Sequence, residues 1–171
     1  MTVRLRPLRA DDLGSLRMNS PEEDPFGFFG FAAENSLERA YAEDGLLTDD
    51  HGLLGIEDEQ GRLTGYVGWF AVQHGPTRAA RALNVGIALL PDHRGRGVGT
   101  AAQAALAAYL FRTTLIERLE AGTDVENLAE QRALEKAGFQ REGIARHAQF
   151  RDGSWHDLVL YSRLRDDPAP A

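Results

Sequence analysis

LNVGIALLPDHRGRGVGT, residues Leu83–Thr100, reads as a strand, a glycine-rich turn and the mouth of a helix in immediate succession. Leu83–Leu90 is an apolar run of strand length, interrupted by Asn84 and Gly86 and stopped by Pro91. After a polar turn, Arg94, Gly95, Arg96, Gly97, Val98 and Gly99 lead into Ala101–Arg112, where Val98, Ala101, Ala102, Ala105, Leu106 and Tyr109 recur at helical spacing. The first turn of a helix leaves backbone N–H groups without partners, and glycines without Cβ let a charged ligand approach them closely. With the positive end of the helix dipole, this arrangement predicts a polyanion site, and a pyrophosphate is the expected guest.

Spacing separates the families that use such a device. The phosphate loop of nucleotide hydrolases requires a lysine after its last glycine, and none follows here. The dinucleotide fingerprint G-x-G-x-x-G places its third glycine three positions beyond the second, whereas Gly95, Gly97 and Gly99 alternate. The stretch instead resembles the acetyl-CoA signature Q/R-x-x-G-x-G/A of the GNAT acetyltransferase superfamily, filled by Arg94, Gly97 and Gly99. Downstream, Asn127, Ala129, Arg132, Leu134, Glu135, Lys136, Ala137, Gly138 and Phe139 resemble a helix of the ribosomal-protein N-terminal and antibiotic-type branch of that superfamily. The two motifs stand in the expected order and separation.

The resemblance implies an α/β chain with the GNAT acyltransferase fold: a mixed, mostly antiparallel central sheet with a splayed parallel strand pair, flanked by helices. It implies acetyl-CoA as acyl donor. The pyrophosphate would rest on Arg94, Gly95, Arg96, Gly97, Val98, Gly99 and Thr100, and the backbone of Ile87, Ala88 and Leu89 would align the pantetheine arm in the splay. Asn127 would contact the same arm while also capping its helix, with Glu130 three positions on as in a capping box. Acetyl transfer needs a neutral nitrogen, a donor to the thioester oxygen and a proton for the departing thiolate. The N–H of Leu89 is the expected oxyanion donor. An alkylammonium has a pKa near 10, so about one molecule in a thousand is reactive at neutral pH and its proton has to be removed.

Asn84 occupies the strand position where many relatives carry a glutamate, and an amide cannot act as a base, although it can orient a water. Glu120, Asp124 and the His156-Asp157 pair are the other candidates. Some relatives carry a tyrosine acid where this chain has Leu134. Tyr161 is the substitute candidate, or a sheet tyrosine. Phe28 and Phe29, in an irregular stretch between the first two helices, are candidates for acceptor contact, or pack that loop onto the body. Trp69 is a candidate pocket wall or a core residue.

Composition narrows the partners. The 171 residues fit one domain, expected over 1–165 with a mobile, proline-containing tail over 166–171. No cysteine is present, which excludes disulfides, thiolate metal sites and a cysteine-borne acyl intermediate, so transfer is expected to be direct. The histidines are scattered and form no metal constellation. A net charge of −7 disfavours nucleic acid as a partner, and Lys136 is the only lysine. No signal peptide or apolar span is visible, so a cytoplasmic protein without a membrane partner is expected.

Taken in order, the chain predicts a strand over Val3–Leu8, a short helix capped by Asp11 or Asp12, a helix over Glu34–Glu43, a strand pair over Gly52–Glu57 and Leu63–Val72, and a loop over Gln73–Arg81. Beyond the central stretch it predicts a strand over Leu115–Thr123, a helix after Asn127, and strands over Glu142–Arg151 and Ser154–Leu164. The resulting expectation is an N-acetyltransferase acting on a primary amine of a small molecule or on a protein N-terminus, with a homodimer compatible with these features. The alternative is a non-catalytic acyl-CoA binding or sensing module.

Overall fold

Seven strands form one sheet: β1 (Arg4–Pro7), β2 (His51–Glu57), β3 (Leu63–Gln73), β4 (Arg81–Leu89), β5 (Arg118–Asp124), β6 (Gln140–Arg151) and β7 (Ser154–Leu164). Their order is β1-β2-β3-β4-β5-β7-β6, and all pairs are antiparallel except β4 with β5. Among the described residues three α-helices accompany them: α1 (Ser36–Asp44), α2 (Val98–Thr113) and α3 (Leu128–Lys136). The structure, a computed structural model, describes residues 2–17, 23–27 and 36–170.

Side-chain alternation sorts the sheet into two faces. Leu83 and Val85 on β4, Val67 and Trp69 on β3, Leu119 and Ala121 on β5, and Val159 and Tyr161 on β7 form one core with α2 and α3. Helix α2 presents Val98, Ala102, Leu106 and Leu110 to this core at four-residue spacing, all at most 3% exposed. Each fully buried leucine there contributes about 1.5–3 kcal/mol. On the opposite face Leu8, Leu13, Leu16 and Leu46 form a smaller core, against which Leu37, Ala40 and Tyr41 of α1 and Tyr66 of β3 pack.

The feature that positions the site is the β4–β5 pair. Its parallel register consists of Leu83↔Leu119 and Asn84↔Glu120. Beyond that level β4 follows β3 as far as Gly65↔Leu89, while β5 follows β7 as far as Asp124↔Leu158. Each strand keeps its antiparallel neighbour, the twist carries them apart, and a gap opens toward their carboxyl ends.

Three local expectations are corrected. The first predicted helix is a 3-10 run, Ala10–Leu16, because seven residues holding Gly14 and two aspartates have little α-helical propensity. Asp12 serves it in reverse, accepting from the Arg9 N–H at 2.7 Å and from Arg6 at 2.6 Å. The loop predicted over Gln73–Arg81 is shorter: β3 runs to Gln73, which pairs with Arg81, and a 3-10 turn, Arg78–Ala80, occupies the connection. The penultimate strand begins at Gln140, two residues after the helix-terminating Gly138 in its left-handed conformation (φ +88°). The tail after Leu164 is tied back at Asp167, whose carboxylate accepts from the Leu164 N–H at 2.8 Å.

Candidate active site

Gly95 and Gly97 take φ values of +70° and +81°, which L side chains adopt only with strain. These two residues turn the chain abruptly into α2, with Gly97 as N-cap and no side chain capping the helix. The first intrahelical bond runs from the Ala101 N–H to the Gly97 carbonyl at 3.1 Å. The N–H groups of Val98, Gly99 and Thr100 are therefore the unpaired donors of the first turn. Gly99 lies against Leu89, Ile87 and Ala133: a Cβ built on it would come within 4.0 Å of all three.

A cleft of about 570 Å³ opens at this mouth and runs into the splay. Ile87, Ala88 and Leu89 of β4 form one wall, Arg94, Gly95, Gly97, Gly99 and Thr100 the turn, and Asn127 with one face of α3 the other wall. Nine of the eleven residues expected to hold the cofactor thus converge on one cavity. The two others stand apart: Arg96 is exposed at the turn's outer side, and the Val98 side chain is buried in the core, so only its backbone belongs to the mouth.

Arg94 donates from Nε to the Leu89 carbonyl at 2.9 Å and from its other end to the Glu23 carbonyl. It thereby joins the end of β4 to the turn at residues 23–27, of which Asp24, Pro25 and Phe26 complete the cavity. From the opposite side Arg151 donates to the Pro25 carbonyl at 2.8 Å and lies over the Phe26 ring, 5.4 Å from its centroid. Two arginines, one in the glycine turn and one at the end of β6, thus hold one short turn across the gap.

Asn127 caps α3: its side-chain oxygen accepts from the Glu130 N–H at 3.2 Å. The reciprocal half of the expected capping box is absent, because the Asn127 N–H donates to the Asp124 carbonyl at 3.0 Å. The Glu130 carboxyl turns instead toward Gln103 of α2, accepting from its Nε2 at 3.4 Å, and lines the cleft. Asn127→Ala is expected to lower stability by about 1 kcal/mol, measured by urea denaturation. A loss below a few tenths would show that the cap is dispensable.

Sequence reasoning did not place Glu130, Arg132 or Lys136 in the site, although all three lie in or beside the second motif; the structure brings them into the cleft wall. The chain's single lysine therefore stands where an anion would pass. Helical periodicity was the available signal, since Asn127, Glu130 and Ala133 share a face at three-residue spacing.

Residues 2–140 match the acetyltransferase (GNAT) domain family. The chain belongs to the GNAT acetyltransferase family. It is 31% identical to "Probable N-acetyltransferase YjcK" of Bacillus subtilis (strain 168), over 97% of this chain and 96% of that protein. Spermidine N-acetyltransferase from Vibrio cholerae, solved with CoA and spermine, has the same fold, with a TM-score of 0.81 at 22% identity and 97% of each chain covered. RimJ from Mycobacterium smegmatis, solved with a CoA-disulfide, superposes with a TM-score of 0.76 at 26% identity, covering 95% of this chain and 81% of that one.

On the face of this GNAT sheet away from α2 and α3, half-buried Asn84 stands beside Glu120 at the last paired level before the splay. Glu120 Oε1 accepts from Arg118 Nε at 2.6 Å and lies 2.6 Å from Nε2 of the half-exposed His74. Arg118 also forks onto Glu142 at 2.8 and 2.5 Å, and Ser162 donates to Glu142 at 2.8 Å. Those two partners hold the Glu142 carboxyl at about 2. Asp124, at the end of β5, is 1% exposed in its side chain and accepts from Arg151 at 2.5 Å, with His156 Nδ1 at 3.1 Å.

Two side chains outside the cofactor set, each given two readings above, pack into the core. Trp69 lies under α2, 7% exposed, with its ring 6.1 Å from that of Tyr109, and borders no part of the cleft. Tyr161 is 1% exposed beneath α3, and its hydroxyl donates to Glu135 at 3.2 Å rather than reaching the cavity. Both belong to the inward face of the sheet, where large aromatics fill volume. Phe28 and Phe29 lie outside the described residues. Among the described residues no three His, Cys, Asp or Glu side chains are grouped to hold a metal ion, and no helix is long and apolar enough to cross a membrane.

Proposed function

We propose that this chain is an N-acetyltransferase that takes an acetyl group from acetyl-CoA and passes it directly to a primary amine, on a small molecule or at a protein N-terminus. The observation that carries the reading is the splayed β4–β5 pair opening into a cleft whose mouth is the uncapped, glycine-turned start of α2. Unpaired N–H donors and the side chains of Arg94, Arg132 and Lys136 suit a pyrophosphate at that end. The apolar run past Ile87, Leu89 and Ala133 suits the arm. Acetyl-CoA, when bound, supplies the activated acyl group. The Leu89 backbone N–H is assigned to the thioester oxygen, Asn127 to the arm, and Phe28 and Phe29 to the acceptor.

Proton removal from the amine falls to Glu120. Asn84 has no basic atom, but the carboxylate beside it in register lies on the sheet face away from α2 and α3, and the half-exposed His74 connects it to solvent. A water oriented by Asn84 would carry the proton to Glu120. Glu120→Gln is expected to lower kcat about 10- to 100-fold while leaving acetyl-CoA affinity unchanged. Equal activity of the variant would remove Glu120 from the reaction.

The test of the whole reading is calorimetric titration with acetyl-CoA, followed by thiol release across a panel of polyamines, other small amines and N-terminal peptides. Saturable binding with release for one amine class is expected. Binding without release on any acceptor would favour the acyl-CoA sensor, and absence of binding would overturn both. The neighbour solved with spermine makes polyamines the first members of that panel.

A further inference from the structure

The departing thiolate needs a proton, and the two tyrosine solutions are closed: Leu134 carries no acid, and Tyr161 is committed to Glu135 outside the cleft. One carboxyl does border the cleft from α3, a full helical turn before Leu134. We propose that Glu130 is the catalytic proton donor of this enzyme, delivering its carboxylic proton to the CoA sulfur as the thioester C–S bond breaks. The inference rests on the acetyltransferase reading above.

The geometry is particular to this carboxyl. It lies in the seam between α2 and α3, where its neighbour is the amide of Gln103, 2% exposed, and among the described residues no cation pairs with it. It lines the same cavity as Ile87–Leu89, the strand segment assigned to the arm. The charged or titratable groups around it are Asp24, Arg94, Arg132 and Lys136 in the cavity wall, with Glu135 and Tyr161 on the far side of α3. Burial, partly opposed by the Gln103 hydrogen bond, pushes its pKa up to about 7. A large share of the enzyme therefore carries the proton at neutral pH, and the carboxyl can give it to a departing alkyl thiolate, the stronger base.

The proton balance closes. The ammonium first gives up one proton through Glu120 and His74 to solvent; the neutral nitrogen then forms the N–C bond and yields its second proton along the same route, the C–S bond breaks, and sulfur takes the Glu130 proton. Glu130 is left as carboxylate and is reprotonated from solvent through the open cleft. An ionised Glu130 beside the sulfur would also oppose thiolate formation in bound product, a consequence that needs no turnover to observe.

The experiment compares native enzyme with Glu130→Gln, which keeps size and hydrogen bonding, and with Glu130→Asp. In Glu130→Gln, kcat is expected to fall 10- to 100-fold near pH 6.5, calorimetric affinity for acetyl-CoA to stay within threefold, and the decline of kcat through about pH 7 to disappear. Independently of activity, the ultraviolet absorbance of the bound CoA thiolate is expected to titrate at higher pH in native protein than in Glu130→Gln. Glu130→Asp should restore part of the rate and the pH dependence. Loss of affinity in step with rate, or superimposable thiolate titrations, would overturn the assignment and leave Glu130 a binding or packing residue. Failure of the native protein to bind acetyl-CoA would instead count against the acetyltransferase reading itself. Thermal melting of each variant identifies a folding loss.

Discussion

Gly97→Glu is expected to abolish acetyl-CoA binding, with a loss of at least about a thousandfold, equivalent to about 4 kcal/mol or more. The substitution places a carboxylate where the α2 N–H groups converge, reversing the charge preference of the helix mouth. Because Gly97 holds φ +81°, any side chain also strains the turn, by about 1–2 kcal/mol. Gly97→Ala is the control that carries the strain without the charge, and a Cβ there meets nothing within 4 Å. Calorimetry should show the alanine variant within about tenfold of native affinity and the glutamate variant silent, with both melting cooperatively. A folded Gly97→Glu that binds as well as the alanine variant would place the pyrophosphate away from α2.

Asp124→Ala is expected to cost about 3–5 kcal/mol of stability, because it leaves the 5%-exposed Arg151 guanidinium without its counter-charge. The replacement of a whole buried pair is often tolerated, but removal of one member is not. Asp124→Asn keeps an oxygen for Arg151 and should lose about half as much. Since Arg151 also holds the Pro25 carbonyl and stacks on Phe26, both variants should weaken acetyl-CoA binding through the 23–27 turn without altering any residue at the mouth of α2. Urea denaturation measures the first effect and calorimetry the second. A stability loss below about 1 kcal/mol for Asp124→Ala would mean that His156, 3.1 Å from the same carboxylate, and solvent compensate the charge.

The Glu130 carboxyl links stability to pH in a fixed direction. Its proton is held more tightly in the folded chain than the ordinary value of 4.5, so folding takes up a proton between about pH 4.5 and 7. This group's contribution is fully present below that window and is lost as pH rises through about 7.

By itself the sequence determined the strand, the glycine turn and the helix after it, because an apolar run ended by proline and three alternating glycines before a periodic apolar stretch admit few other conformations. It determined the seven strands and their approximate bounds for the same local reason, and the second motif already contained the cap at Asn127 and the helix end at Gly138. What it could not decide were the places where two distant segments meet. Glu130 read as half of a capping box because that is what three-residue spacing means within one helix; only the packing of α3 beside α2 turns its carboxyl to Gln103 and the cleft. Trp69 and Tyr161 were ambiguous because a strand position names a pair of faces, and tertiary packing alone says which face is covered. The splay was expected through the family resemblance alone, and the structure supplies its cause: β4 and β5 each follow a different antiparallel neighbour after Asn84 and Glu120, a competition among four strands that no local pattern encodes.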